Sequence, residues 1–103
     1  MLVITKENFK SEVEEHLGLV VIDLYADWCG PCRMLAPVLA ELESEYPEVK
    51  FCKINVDDEP ELAKAFNVKN IPMVAFVKNN TFADLSIGFV PKETLKAKLE
   101  DNK

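Results

Sequence analysis

The chain has 103 residues, of which 49% are hydrophobic and 29% are charged, and its net charge is −6 at pH 7. This balance is typical of one soluble globular domain, so we expect a single domain over residues 1–103. The acidic charge and the scattered Lys and Arg residues argue against a nucleic-acid or membrane partner. Residues 1–6 lack the apolar run of a secretory signal, so we expect a cytoplasmic protein.

The N-terminal quarter predicts an edge strand, a helix and a central strand. Val3 and Ile4 form the candidate edge strand, and Thr5 can cap the helix that follows. That helix would end at Gly18 and has one apolar face, made of Phe9, Val13 and Leu17. Leu19–Tyr25 is a nearly unbroken apolar, β-branched run, interrupted by one Asp. Such a run is typical of a parallel strand that is buried on both faces.

The rest of the chain predicts two more helix-strand units and a hairpin. An apolar helical stripe follows Cys32, and Pro37 lies inside it, where we expect a kink. The later predicted elements are a strand at 49–56, a helix at 60–66, strands at 73–77 and 82–89 joined by a turn at Asn79 and Asn80, and a helix opened by Pro91. Because helices connect the parallel strands, the fold class is α/β, with helices on both faces of the sheet.

Two cysteines, Cys29 and Cys32, lie in the segment ADWCGPC, where the predicted strand meets the predicted helix. A zinc site is disfavoured, because the only further soft ligands are Cys52 and His16 and there is no second CxxC. A purely structural disulfide is also disfavoured. Closing so short a loop contributes only roughly 2 kcal/mol to stability, and a reducing cytosol would open it.

A pair that cycles between dithiol and disulfide fits the local physics. Pro31 suits the first helical turn, so Cys29 lies near the N-cap, where free N–H groups and the helix dipole favour a thiolate. Cys32 lies one turn further into the helix, which suits a resolving thiol. The sequence therefore predicts Cys29 as nucleophile and Cys32 as resolver in thiol-disulfide exchange.

The motif WCGPC resembles the active site of the thioredoxin family. The resemblance covers essentially the whole chain, since Asp23, Lys53, Pro72 and Gly88 stand where that family has its characteristic residues. It implies the thioredoxin fold, a central mixed β-sheet of parallel strands plus an antiparallel C-terminal hairpin, flanked by helices. It further implies a protein-disulfide reductase. We expect no bound cofactor and, for want of ligands, no metal, and a groove that clients must enter argues for a monomer. Its partners would be disulfide-containing client proteins and a thioredoxin reductase.

The resemblance also gives roles to two charged residues. A carboxylate inside VVIDLY is costly to desolvate, so the pKa of Asp23 should rise. In the family the matching aspartate helps to deprotonate the resolving cysteine, whereas the alternative is an Asp at an exposed strand end. Lys53 would lie near Asp23 and tune its charge; the alternative is a strand residue that points to solvent.

A shallow apolar groove for client proteins is the third implication. Ile71-Pro72 resembles the cis-proline segment that faces the active cysteines and offers backbone hydrogen bonds to substrate. The expected groove residues are Trp28, Gly30, Pro31, Ile71, Pro72 and Gly88. Four residues depart from the family pattern, namely Tyr25, Asn70, Met73 and Asn80. Asn70 adds a side chain at the groove edge, so client preferences need not match those of the family.

Two alternative functions stay open at this point. A disulfide oxidase or isomerase would use the same chemistry, although Gly30-Pro31 resembles the dipeptide of a reductant. A redox-inactive docking subunit would use the groove alone. The third cysteine, Cys52, reads as a small buried hydrophobe, with a regulatory thiol as the alternative.

Overall fold

A five-stranded mixed sheet organises the structure, a computed structural model that describes residues 1–103. The strands are β1 (Leu2–Val3), β2 (Leu19–Tyr25), β3 (Lys50–Asn55), β4 (Met73–Lys78) and β5 (Thr81–Ile87). The helices are α1 (Gly30–Glu45), α2 (Pro60–Ala65) and α3 (Lys92–Asn102), and a π-helical turn spans Lys10–Glu14. None of these helices combines the length and the apolar character needed to cross a membrane.

The strand order is β1-β3-β2-β4-β5. β3 pairs in parallel with both β1 and β2, whereas β4 runs antiparallel to β2 and to β5. The mixed sheet and the C-terminal hairpin are thus confirmed. Asn79 and Asn80 form the hairpin turn with φ of 51° and 61°, a conformation that Asn tolerates better than most residues.

The sheet carries a hydrophobic cluster on each face, and β2 contributes to both. On one face, Val21 packs with apolar residues of α1 and α3, among them Leu35, Leu39, Leu95 and Leu99. On the other face, Ile22 packs with Leu62 of α2 and Val13 of the π-helical turn. The prediction that β2 is buried on both faces is confirmed. This burial fixes the carboxyl end of β2, where the cysteines follow.

The predicted first helix is the main error in the expected fold. Instead of an α-helix up to Gly18, the chain forms one π-helical turn, in which the Glu15 N–H bonds to the Lys10 carbonyl. This turn ends at Glu15, so Leu17 lies beyond it and is 84% exposed, whereas Phe9 and Val13 still pack in the same cluster as Ile22. The expected cap by the Thr5 side chain is not formed, since no side chain caps this turn; instead Asn8 Oδ1 accepts from the Thr5 N–H at 2.8 Å.

Smaller differences concern element ends. The edge strand lies one residue earlier than expected, since β1 is Leu2–Val3 and Ile4 follows it as a fully buried residue. β5 ends at Ile87, short of the expected Phe89, because Gly88 takes a φ of +82° there. The helix α1 continues through Pro37 from Gly30 to Glu45. The kink at Pro37 stays a prediction.

Candidate active site

The two cysteines lie at the junction between β2 and α1. Cys29 is the N-cap of α1, with extended backbone angles of φ −88° and ψ 112°, and Pro31 is in the first turn. The two sulfurs are bonded as a disulfide, with Cα atoms 5.2 Å apart. The Cys32 N–H donates to Cys29 Sγ at 3.2 Å. Free N–H groups at a helix N-terminus stabilise negative charge, so this position favours a Cys29 thiolate once the disulfide is reduced.

Both cysteine residues are nearly covered by protein. Cys29 and Cys32 are each buried, and they pack with Ala26 and with the half-buried Ile71. Gly30 leaves space beside the pair, since nothing lies within 4 Å of where its Cβ would be, and Pro31 is exposed. An approaching disulfide would therefore reach the pair across the Gly30-Pro31 side.

The segment Ile71-Pro72 faces the cysteines from the other side. The Ile71 carbonyl oxygen lies 3.9 Å from Cys29 Sγ, and the peptide bond before Pro72 is cis. Gly88 holds this segment in place, because its N–H donates to the Pro72 carbonyl at 2.7 Å. The structure thus brings Cys29, Cys32, Ile71 and Pro72 together, with Gly88 directly behind them.

Trp28 precedes the pair on the open surface and is 70% exposed. Its Nε1–H donates to Asp57 Oδ2 at 2.8 Å, which fixes the ring beside the carboxyl end of β3. Trp28 and Ile71 share a hollow of about 550 Å³ with Val56 and Val68. An exposed aromatic ring held in this way beside an apolar hollow is a typical feature of an interaction surface.

Behind Cys32, a cavity of about 360 Å³ leads to a buried carboxyl group. Asp23, Lys53 and Cys32 all line this cavity, together with Tyr25 and Arg33. Asp23 is 5% exposed, and its Oδ1 has no hydrogen-bond partner. Burial raises the pKa of Asp23 from 3.8 to about 7, while the charge of Lys53 acts in the opposite direction. The carboxyl group can therefore change its protonation state near neutral pH within the cavity that holds Cys32.

Cys52 lies apart from this site. It is fully buried in β3 and belongs to the hydrophobic cluster on the face of α2 and the π-helical turn. Burial raises the pKa of its thiol to about 11. Such a thiol is protonated at neutral pH, which agrees with the reading of Cys52 as a small buried hydrophobe. No three His, Cys, Asp or Glu side chains of the chain are grouped so that they could hold a metal ion.

Three residues at the site were missed by the sequence reasoning. Asp57 binds Trp28, Arg33 donates from Nη1 to the Asp27 carbonyl at 2.7 Å, and Tyr25 lines the Asp23 cavity. A signal for Asp57 was present, since β3 and β2 are parallel and their carboxyl ends meet at one edge. For Arg33 and Tyr25, the signal was their position within two residues of Cys32 and Asp23.

Comparison with known proteins agrees with this geometry. The Thioredoxin family model matches residues 1–101. Thioredoxin 1 of a Nostoc species is 39% identical over 98 residues, which is 94% of this chain and 92% of that protein. The chloroplastic Thioredoxin M5 of Oryza sativa is 42% identical over 96 residues, which is 92% of this chain and 56% of that protein.

Solved structures give the same result. One similar chain comes from a structure on the thiol resolving mechanism of yeast mitochondrial 1-Cys peroxiredoxin through the glutathione and thioredoxin systems. Its TM-score with this protein is 0.90 at 31% identity, and the alignment covers 98% of this chain and 94% of that chain. The similarity therefore extends over the whole sheet and all three helices.

Proposed function

The chain belongs to the thioredoxin family, and we propose that its Cys29–Cys32 pair reduces client proteins in the cytoplasm with the help of Asp23, Trp28 and the Ile71-Pro72 segment. The protein is a thiol-disulfide oxidoreductase that reduces protein disulfides through this pair. One observation supports the assignment of roles best: Cys29 caps α1, is bonded to Cys32, and faces the Ile71 carbonyl at 3.9 Å.

The proposed first step is attack by the Cys29 thiolate on a client disulfide. One client sulfur joins Cys29 in a mixed disulfide, and the other leaves as a thiolate that takes a proton from water. The Cys32 thiolate then attacks Cys29 Sγ, which forms the intramolecular disulfide and releases the second client sulfur as a thiolate that takes a proton from water. Two electrons pass to the client in total, and the cysteine pair supplies both, so no bound cofactor is needed.

Asp23 is the proposed proton acceptor for Cys32. A thiol of ordinary pKa, about 8.5, is mostly protonated at pH 7, so the second step needs a base. The Asp23 carboxyl has a pKa of about 7 and lines the same cavity as Cys32. It can accept the proton directly or through water and then return it to solvent. Lys53 supports this role, because its positive charge favours the ionised form of Asp23.

Client proteins would dock on the open side of the pair. The proposed contacts are the exposed Trp28 ring, the space beside Gly30 and Pro31, and the backbone at Ile71 and Gly88. Main-chain hydrogen bonds accept many sequences, so such a groove would serve extended segments of different clients. This use of the groove favours a working monomer, because a second copy on the same face would block it. The monomer is proposed to be one domain over residues 1–103.

The proposed electron donor is a thioredoxin reductase, which would return the Cys29–Cys32 disulfide to the dithiol. The compartment is proposed to be the cytoplasm, where glutathione and thioredoxin systems keep thiols reduced. Relatives of this chain include Thioredoxin 1 of a Nostoc species and a chloroplastic thioredoxin of Oryza sativa. Fractionation of the source cells, followed by thiol trapping of this chain, tests both the compartment and the reduced state.

A trapping experiment tests the assigned roles. Reduced Cys32→Ser protein, mixed with a client that has an accessible disulfide, should accumulate a one-to-one mixed disulfide at Cys29, because the resolving step is missing. Cys29→Ser should form no adduct and should not reduce the client. Cys52→Val is the matched control and should retain full activity. Retention of full cellular function by the Cys29→Ser, Cys32→Ser double variant would contradict the proposal and favour a docking subunit.

A further inference from the structure

Tyr25, where the family often has tryptophan, lies on the same sheet face as the buried carboxyl group. It comes two residues after Asp23 in β2, so both side chains point to one side of the sheet. In the parallel ladder, Asp23 pairs with Lys53 and Tyr25 pairs with Asn55. Asp23, Tyr25 and Lys53 also line one cavity of about 360 Å³ together with Cys32.

The ammonium group of Lys53 lies over the Tyr25 ring. Its Nζ is 5.8 Å from the ring centroid, within the range in which a ring face attracts a cation. Lys53 takes part in none of the seven salt bridges of the chain, and Asp23 Oδ1 has no hydrogen-bond partner. The Tyr25 ring is therefore the contact that can hold this ammonium beside the cavity that both residues line.

We propose that Tyr25 is a positioning residue, whose ring keeps the Lys53 ammonium beside Asp23 and so favours the ionised carboxylate. The inference rests on the proposed role of Asp23 as proton acceptor, and it adds the residue that controls the charge next to that acceptor. A free lysine side chain samples many rotamers and would extend toward water. Contact with the ring restricts it to the positions from which its charge acts on Asp23.

The other charged groups at the cavity do not provide this charge. Arg33 is exposed and donates to the Asp27 carbonyl, and the amino group of Met1 is paired with Glu43 at 3.4 Å. Asp27 and Glu43 are acidic, so they supply no positive charge to the cavity. Lys53 is accordingly the cation whose charge lowers the pKa of Asp23 against the effect of burial.

Removal of the ring separates two possible roles, because they shift the pKa of Asp23 in opposite directions. If the ring positions Lys53, its loss frees the ammonium and the pKa rises. If the ring only covers the cavity, its loss admits water and the pKa falls. A positioning role also requires Lys53, whereas a covering role does not.

The test is a ¹³C NMR titration of the Asp23 carboxyl group in the oxidised protein, where no active-site thiol titrates. Tyr25→Leu should raise the pKa of Asp23 by roughly half a unit, and Tyr25→Phe, which keeps the ring, should leave it unchanged. Lys53→Met should raise it at least as much as Tyr25→Leu. In the Lys53→Met background, Tyr25→Leu should add no further rise. Tyr25→Gln repeats the loss of the ring with a polar side chain, in case Tyr25→Leu does not fold.

Two results would overturn the positioning role. One is a fall in the pKa of Asp23 in Tyr25→Leu, and the other is a rise of equal size with and without Lys53. The failure of the proposed function looks different. If the pKa shifts as expected but the pH profile of client reduction does not follow it, Asp23 is not the proton acceptor, although Tyr25 still positions Lys53.

Discussion

Asp23 and Lys53 are direct neighbours in the parallel ladder between β2 and β3, yet Asp23 Oδ1 has no hydrogen-bond partner. Burial therefore determines the properties of this carboxyl group, and the nearby ammonium only moderates them. The result is a pKa of about 7, which lets the carboxyl group exchange a proton near neutral pH. The same ionisation of Asp23 should therefore affect both the folding stability of the protein and the rate at which it reduces clients.

Stability should fall as the pH rises through the range in which Asp23 ionises. The pKa of Asp23 is about 7 in the folded chain, against an ordinary value of 3.8, so the folded state binds more protons between these values. Stability therefore falls as the pH rises from about 4 to about 7, and above pH 7 it is lower by up to roughly 4 kcal/mol than at pH 4. Asp23→Asn should be more stable than the parent by roughly 2–4 kcal/mol at pH 8.5 and nearly equal to it at pH 4.

Urea unfolding of the oxidised proteins at the two pH values measures this difference. Asp58→Asn, a change at an exposed carboxyl group, is the matched control. Its difference in stability from the parent should be the same at both pH values. Equal stability of Asp23→Asn and the parent at both pH values would contradict the raised pKa.

The same substitution should slow client reduction. Without its proposed base, Cys32 relies on spontaneous ionisation, so the rate of mixed-disulfide resolution should fall roughly tenfold or more at pH 7. The deficit should shrink above pH 9, where the thiol ionises unaided. The reduced protein is oxidised by a client disulfide in a single turnover, and the reaction is quenched with acid. Mass spectrometry of the mixed disulfide and the Cys29–Cys32 disulfide then gives the rate of resolution. A deficit that is the same at every pH would point to a structural effect of the substitution instead.

Much of the fold could be predicted because β2 and the elements after it have strong, simple patterns. The apolar run Leu19–Tyr25 can be satisfied only by burial on both faces, and Asn79-Asn80 supplies a turn of the right chirality for a hairpin. The first helix was wrong in its type and its end, because the chain forms a π-helical turn that stops at Glu15, and Leu17, the third residue of the expected stripe, lies beyond it.

The site was less predictable than the fold, because its parts come from distant segments. The cysteine pair could be assigned from its place between strand and helix. Burial of Asp23 could not be decided, since an Asp in an apolar run is also compatible with an exposed strand end. The contact of Trp28 with Asp57 and that of Tyr25 with Lys53 depend on the register between β2 and β3, which local patterns do not specify.

Trp28 should matter for protein clients and much less for small disulfides. Its ring is exposed beside the apolar hollow, so Trp28→Ala should raise the KM for a protein disulfide roughly fivefold, which corresponds to about 1 kcal/mol of lost contact. Stability should change by less than about 0.5 kcal/mol, because an exposed ring contributes little to folding. Steady-state kinetics with a protein disulfide and with oxidised glutathione compare the two substrates, and Trp28→Phe is the conservative control. An equal loss with both substrates would contradict a docking role.

The midpoint potential of the Cys29/Cys32 couple tests the central claim most directly. The protein is equilibrated in graded dithiol/disulfide buffers, free thiols are trapped, and the two states are counted by mass; Cys52→Val removes the third thiol from the count. We expect a two-electron couple at about −270 mV, the value typical of thioredoxins. This potential is more reducing than that of the glutathione pool as measured biochemically. A couple near about −120 mV would make the protein an oxidase, and the absence of a reversible couple would contradict the redox function altogether.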